Sequence, residues 1–182
     1  MGDQLSARDW LDQGLRTLAR HGFTALKAEP LAKAMGVSRG SFYWHFADIA
    51  AFHIAILEHW RDVAVERIIA DIEALSPDQG ALPALLNRAF GGKPPLLESA
   101  MRSWAAHDAA ARSVVQAVDR RRMGYIEKLL EAAGLPLEVA RARTQIVYWA
   151  FLGFALSDKP LPQARQAAII EELRRITSDD SR

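Results

Sequence analysis

Apolar residues recur along this chain at intervals of three and four, and no stretch alternates strictly. Leu11, Leu15 and Leu18, with Trp10 beside them, form one helical stripe. Ser6 precedes it with Asp9 three residues on, an N-terminal box with Asp in place of Glu, and Gly22 follows as a stop. A short helix is predicted over Ala28–Met35, with Pro30 in its first turn and Leu31, Ala34 and Met35 inward. After the bend Gly36-Val37-Ser38, another short helix is predicted over Arg39–His45, with Ser38 as its cap. A long helix over Asp48–Leu75 carries Phe52, Ile56, Trp60, Val63 and Ile68.

The rest reads the same way. Ser76–Gly80 is a loop and Leu82–Phe90 a helix, broken by Gly91-Gly92-Lys93-Pro94-Pro95. Helices follow over Leu96–His107, Ala109–Ala133 (stopped by Gly134) and Leu137–Leu156. Lys159-Pro160-Leu161-Pro162 interrupts, Gln163–Ile176 is the last helix, and Thr177–Arg182 is a polar tail. Strand and hairpin signals are missing, so the expected class is all-α. Helix, short helix, glycine bend, short helix is the helix-turn-helix pattern. It divides the chain into a DNA-binding head over residues 1–47 and a helical body over 48–182.

Composition narrows the function. The 182 residues contain no cysteine, which removes thiol catalysis, disulfide scaffolds and cysteine-built zinc sites. His53 and His59 are six apart and share no helix face, so the five histidines show no metal spacing. Gly91-Gly92-Lys93-Pro94 lacks the length and hydroxyl of a phosphate loop, and no nucleophile elbow occurs. No enzyme and no cofactor are expected. The longest apolar run, Ile146–Leu156, is eleven residues against about 20 for a membrane span. The start MGDQLSARDW has no basic and apolar leader pattern, so the expectation is a soluble cytoplasmic protein without membrane partners.

Net charge is only +1, and residues 1–50 hold six basic and five acidic side chains. Any case for nucleic acid therefore rests on where charge sits, not on its total. Val37, Phe42 and Phe46 form the inward set of the second short helix. That leaves Arg39, Ser41, Tyr43, Trp44 and His45 facing out. Two large rings and a histidine facing water would be odd on an idle surface.

The stretch Gly36-Val37-Ser38-Arg39-Gly40-Ser41-Phe42-Tyr43-Trp44-His45-Phe46 resembles the recognition segment of the tetracycline-repressor (TetR) family of transcriptional regulators. The spacing from Gly22-Phe23 through Leu31-Ala32 to Gly36 is similar as well. The resemblance is specific over Ser6–Phe52 and architectural beyond it. Trp104-Ala105-Ala106-His107-Asp108, and Arg121-Arg122 through Gly134-Leu135-Pro136, also resemble body segments.

The resemblance implies a three-helix head on a six-helix ligand-binding and dimerisation body. It implies a regulator, by preference a repressor, that binds double-stranded DNA as a homodimer and answers a small-molecule ligand. Tyr43 and His45 would bond phosphates. Arg39, Gly40, Ser41 and Trp44 would lie over base edges or the adjoining backbone, with Ser38 able to reach a phosphate. Lys27 stands where members carry a capping Thr; it can neutralise a phosphate but cannot cap. Ile49 stands where a Lys or Arg usually opens the fourth helix, which predicts weaker DNA affinity or a flatter salt dependence.

The body offers further expectations. A helix apolar all round, as at Ile146–Leu156, must be covered on every side. With few neighbours available, a second subunit is the expected cover, through Ala150, Gly153 and Leu156 and, on the last helix, Ile169, Ile170 and Leu173. Trp60, Met101, Trp104, His107, Tyr125, Tyr148 and Phe151 are candidates to line a ligand cavity, each also an ordinary core residue. The competing reading is a helical protein–protein adaptor that keeps the head but binds no DNA.

Overall fold

The computed structural model describes residues 5–75, 80–157, 159 and 161–178. The predicted turn at Ser76–Gln79, Pro160 of the predicted interruption, the tail from Asp179 and the first four residues lie outside the described residues. Among those described, all regular structure is helical. The elements are α1 (Ala7–His21), α2 (Ala28–Met35), α3 (Arg39–Phe42), α4 (Ile49–Arg61), α5 (Arg67–Glu73), α6 (Ala81–Phe90), α7 (Leu96–His107), α8 (Ala109–Ala132), α9 (Leu137–Ala155) and α10 (Gln163–Thr177).

Local chemistry sets the boundaries. At α1 the box closes in both directions: the Asp9 N–H donates to Ser6 Oγ, and Asp9 Oδ2 accepts from the Ser6 N–H at 2.7 Å. The Ser6 hydroxyl also donates to that carboxylate, and these bonds hold Asp9 below the usual carboxylate range. Gly36, at φ 69°, ends α2 in the left-handed conformation that glycine adopts without a Cβ clash. Asp108 accepts from the Ala111 N–H at 2.7 Å to start α8, while Arg112 donates to the Ala105 and Ala106 carbonyls that end α7.

The predicted long helix is interrupted. A π-helical turn, Asp62–Glu66, separates α4 from α5. The buried positions record it: Phe52, Ile56 and Trp60 step by four, the next step to Val65 is five, and Ile69 and Ile72 follow. Val63 and Ile68, expected on the buried stripe, are only half-buried because the extra residue rotates the register.

The chain divides into two compact units. One comprises residues 1–64 and 96–117, so it is larger than the 1–47 head and takes in α4 and α7. Its core is built around Phe42, whose ring meets Trp10, Phe46 and Phe52 at centroid distances of 5.2–5.4 Å. Helices α1 and α4 approach closely at Gly14, where a Cβ would come within 2.4 Å of Ile56 Cδ1. Here α2 buries Ala28, Leu31 and Ala32, whereas Ala34 is exposed and Met35 half-buried, so the buried set lies three residues back from the expected one. The other unit comprises residues 65–95 and 118–182. Its core gathers Leu86, Phe90, Ile126, Leu130, Leu135, Val147, Tyr148, Ile170 and Leu173.

Candidate nucleic-acid interface

The recognition segment is shorter than its sequence suggests. Regular helix covers only Arg39–Phe42, and Tyr43–His45 continue as a turn, with the His45 and Phe46 N–H groups both donating to the Phe42 carbonyl at 3.1 Å. Phe42 is fully buried and Phe46 nearly so, while Val37 is half-buried. Anchoring this short segment through two large rings leaves its other side free.

That other side carries the predicted set. Tyr43 is 47% exposed and Trp44 73%. Ser38, Arg39 and Gly40 are exposed, and Ser41 is half-buried. Arg39 donates to the Tyr43 hydroxyl at 3.2 Å, one turn away, and its guanidinium lies 5.8 Å from that ring's centroid. The hydrogen bond raises the arginine's already high pKa. The pair fixes a cation and a ring side by side, with the remaining guanidinium N–H groups available to an acceptor.

Two positions, Ser38 and His45, differ from the sequence reading. Ser38 occupies the N-cap position of α3, but its side chain makes no capping bond, so the hydroxyl is not committed to the helix. Lys27 likewise leaves the start of α2 without a side-chain cap, as a side chain with donors only must. His45 is half-buried, with Nε2 shielded and unpartnered, which leaves Nδ1 as the atom able to meet a phosphate. At the start of α4, Asp48 accepts from the Ala51 N–H at 2.7 Å and Ile49 is half-buried, so no cation stands there.

Two polar links of this unit gave no sequence signal. His59 Nε2 meets Asp12 Oδ1 at 2.6 Å, tying α4 to α1, with the imidazole buried. His53 Nε2 lies 3.0 Å from the Leu26 carbonyl and donates to it. Each joins residues far apart in sequence, which local spacing cannot reveal.

The candidate ligand-lining residues separate. Trp60, Met101 and Trp104 are buried in the first unit, and Trp104 stacks on Phe23 at 4.6 Å with its Nε1 unpartnered. His107 ends α7 exposed, not turned inward as a polar tip. In the second unit, Tyr148 donates to Asp119 at 2.5 Å and Phe151 lies under the Arg122 guanidinium at 5.2 Å. Tyr125 is buried with an unpartnered hydroxyl, and burial pushes its pKa up.

The predicted partner face also needs redrawing. Ile170 and Leu173 are buried in their own unit's core, because α10 turns that side toward α6 and α9. Gly153 and Leu156 are exposed, and Ala150 and Ile169 half-buried. Ile146 and Trp149, absent from the predicted set, are among the large apolar side chains exposed on α9, with Leu137 and Val139.

Residues 11–56 match the model of the bacterial regulatory proteins, tetR family. Those residues contain the whole helix-turn-helix and the anchoring rings just described. Over that segment the chain is similar to the tetR family. Solved structures share its fold along nearly the full length. A TetR-family member from Streptomyces coelicolor A3 is 24% identical, with 93% of this chain and 98% of that one covered and a TM-score of 0.63. NemR of E. coli in its reduced form is 20% identical, with coverages of 92% and 97% and a TM-score of 0.68. The multidrug binding protein EbrR, solved with malachite green, is 21% identical, with coverages of 93% and 96% and a TM-score of 0.62. No curated protein matches the chain. The TetR-type fold accounts for a three-helix head followed by further helices. Among the described residues no helix is long and apolar enough to cross a membrane, and no cluster of three His, Asp or Glu side chains is placed to hold a metal.

Proposed function

We propose that this protein is a DNA-binding transcriptional regulator, by preference a repressor, that binds a palindromic operator as a dimer and is released by a small molecule. The observation that carries the reading is the outward side of α3 and its turn: Arg39, Tyr43 and Trp44 project into solvent over a core closed by Phe42. A short helix so anchored can enter a major groove, with the neighbouring helix crossing the backbone. Tyr43, Lys27, Ser38 and, through Nδ1, His45 supply phosphate contacts. Arg39, Gly40, Ser41 and Trp44 face the base edges or the adjoining backbone. One such segment reads few base pairs, so useful specificity requires two heads on a two-fold site.

The dimer is supported by the exposed apolar residues Ile146 and Trp149 of α9 and Leu156 just past its end, beside Ala150 and Gly153. The released state is an allosteric one: a ligand held among body side chains weakens DNA binding, and DNA weakens the ligand by the same factor. Within the second unit Tyr148 and Phe151 remain lining candidates, whereas Trp60, Met101 and Trp104 are buried in the first unit. The unpartnered Tyr125 hydroxyl is the polar anchor the second unit offers, and His107 is the least suited because it faces solvent. EbrR was solved with malachite green, which is consistent with ligand binding on this fold.

Fluorescence anisotropy with DNA from the protein's own upstream region tests the reading. Binding should need a palindrome, and its logarithm should fall linearly with the logarithm of salt concentration. A folded protein that ignores such DNA would instead favour the adaptor.

A further inference from the structure

The second unit contains a cavity that the regulatory reading leaves without a role. It has a volume of about 260 Å³ and is lined by Phe90, Ala150, Gly153, Phe154, Leu161 and Ile169, with Ser157 and Gln166 as its polar members. One turn before Gly153 on the same helix stands Trp149, 64% exposed and outside the lining. We infer that this cavity is the seat for the Trp149 indole of a second copy of the chain, each protomer filling the other's. The inference rests on the dimer reading above and specifies what holds that dimer together.

Size favours a side chain over a free ligand. Small-molecule pockets run to about 300–1,000 Å³ and carry convergent polar groups. This cavity is smaller and almost wholly apolar, the order expected for one large ring. Position favours a two-fold partner. If two α9 helices cross antiparallel about a point near Phe151, residue 149 of one lies opposite residue 153 of the other. An isologous contact needs this self-complementarity, a projection and a hollow on the same patch. Gly153 keeps the hollow open, since a Cβ there would meet nothing within 4 Å of its own chain.

Area points the same way. Val139, Ile146 and Trp149 on α9, Leu156 just past its end and Ile176 on α10 are all exposed. Their uncovered surface is on the order of 450 Å², given about 150–250 Å² for a large side chain. A standard interface takes about 800 Å² from each partner, about 65% of it apolar in homodimers. The patch therefore supplies most of the apolar area one copy needs to bury. An indole seated in it would be the dominant contact.

The full-length protein labelled with 5-fluorotryptophan tests this directly. Its five tryptophans give five fluorine resonances, and Trp149→Phe assigns the relevant one. In the dimer that resonance should show no shift between H₂O and D₂O, and Gly153→Leu, which fills the seat, should restore the shift. By analytical ultracentrifugation, Trp149→Ala should raise the dimer Kd at least ~30-fold, with Trp149→Phe falling between it and the parent. A stable dimer whose Trp149 remains open to solvent overturns the inference and leaves the DNA-binding dimer standing, with the cavity belonging to some other occupant. A protein that stays monomeric at micromolar concentration overturns both.

Discussion

Both the head and α9 expose aromatic rings to solvent, but in opposite company. Around Tyr43 and Trp44 stand Arg39, Ser38, Ser41 and the bare backbone of Gly40. Around Trp149 stand Ile146, Leu156, Ala150 and Gly153. The first surface can satisfy phosphates and base edges, which need hydrogen bonds and charge. The second is mainly apolar, with Gln145 its polar neighbour one turn away, and gains chiefly by being covered with apolar surface. Exposure alone therefore does not identify an interface; the chemistry next to the ring does. Ile54 and Leu96, exposed singly on α4 and α7, belong to neither set.

The outward surface of the head depends on the core beneath it. Phe42→Ala removes the ring that meets Trp10, Phe46 and Phe52, and should cost about 3–5 kcal/mol in urea unfolding. DNA binding should go with it, because the outward face depends on that anchor. A change under 1 kcal/mol would mean the head is held otherwise.

The next test separates the two surfaces. Gly153→Leu should weaken the dimer by about 1–3 kcal/mol through overpacking across the interface. The isolated protomer should keep its helix content, since its own chain leaves room at that position. Sedimentation and circular dichroism read the two effects separately, and a dimer of unchanged affinity would misplace the interface. Tyr43→Ala acts on the other surface. It should lower DNA affinity about tenfold across sequences, the worth of one phosphate bond, while leaving dimer mass intact. An effect confined to one operator sequence would make Tyr43 a base reader. Lys27→Ala should give the smallest change, lowering the slope of log K against log salt by about 0.9 with little effect on sequence preference. An unchanged slope would place Lys27 away from the duplex.

Much of this was legible in the sequence because helix starts and stops depend on nearby residues. Ser6 with Asp9, Gly22, Gly36 and Gly134 all mark helix ends within one or two positions. Phe42 and Phe46 were legible as anchors from their spacing alone. Features set by distant parts of the chain were not. The five-residue step at the π-turn leaves no mark in a three- or four-residue periodicity. The His59–Asp12 link spans 47 residues, and Trp104 joins Phe23 from 81 residues away. The α9 patch was only half legible. A helix apolar all round signals cover on every side but not which residues the protomer covers itself, so the sequence does not separate the buried Ile170 and Leu173 from the exposed Trp149.

On the proposed reading the outward side of α3 and its turn meets a duplex. The most direct measurement is anisotropy of labelled upstream DNA with the parent protein and a Tyr43→Ala/Trp44→Ala double variant, matched for dimer mass and unfolding midpoint. The account predicts salt-sensitive binding by the parent and a loss of at least ~100-fold in the variant, two contacts each worth about tenfold or more. Equal affinity of the two proteins for the same DNA would contradict it.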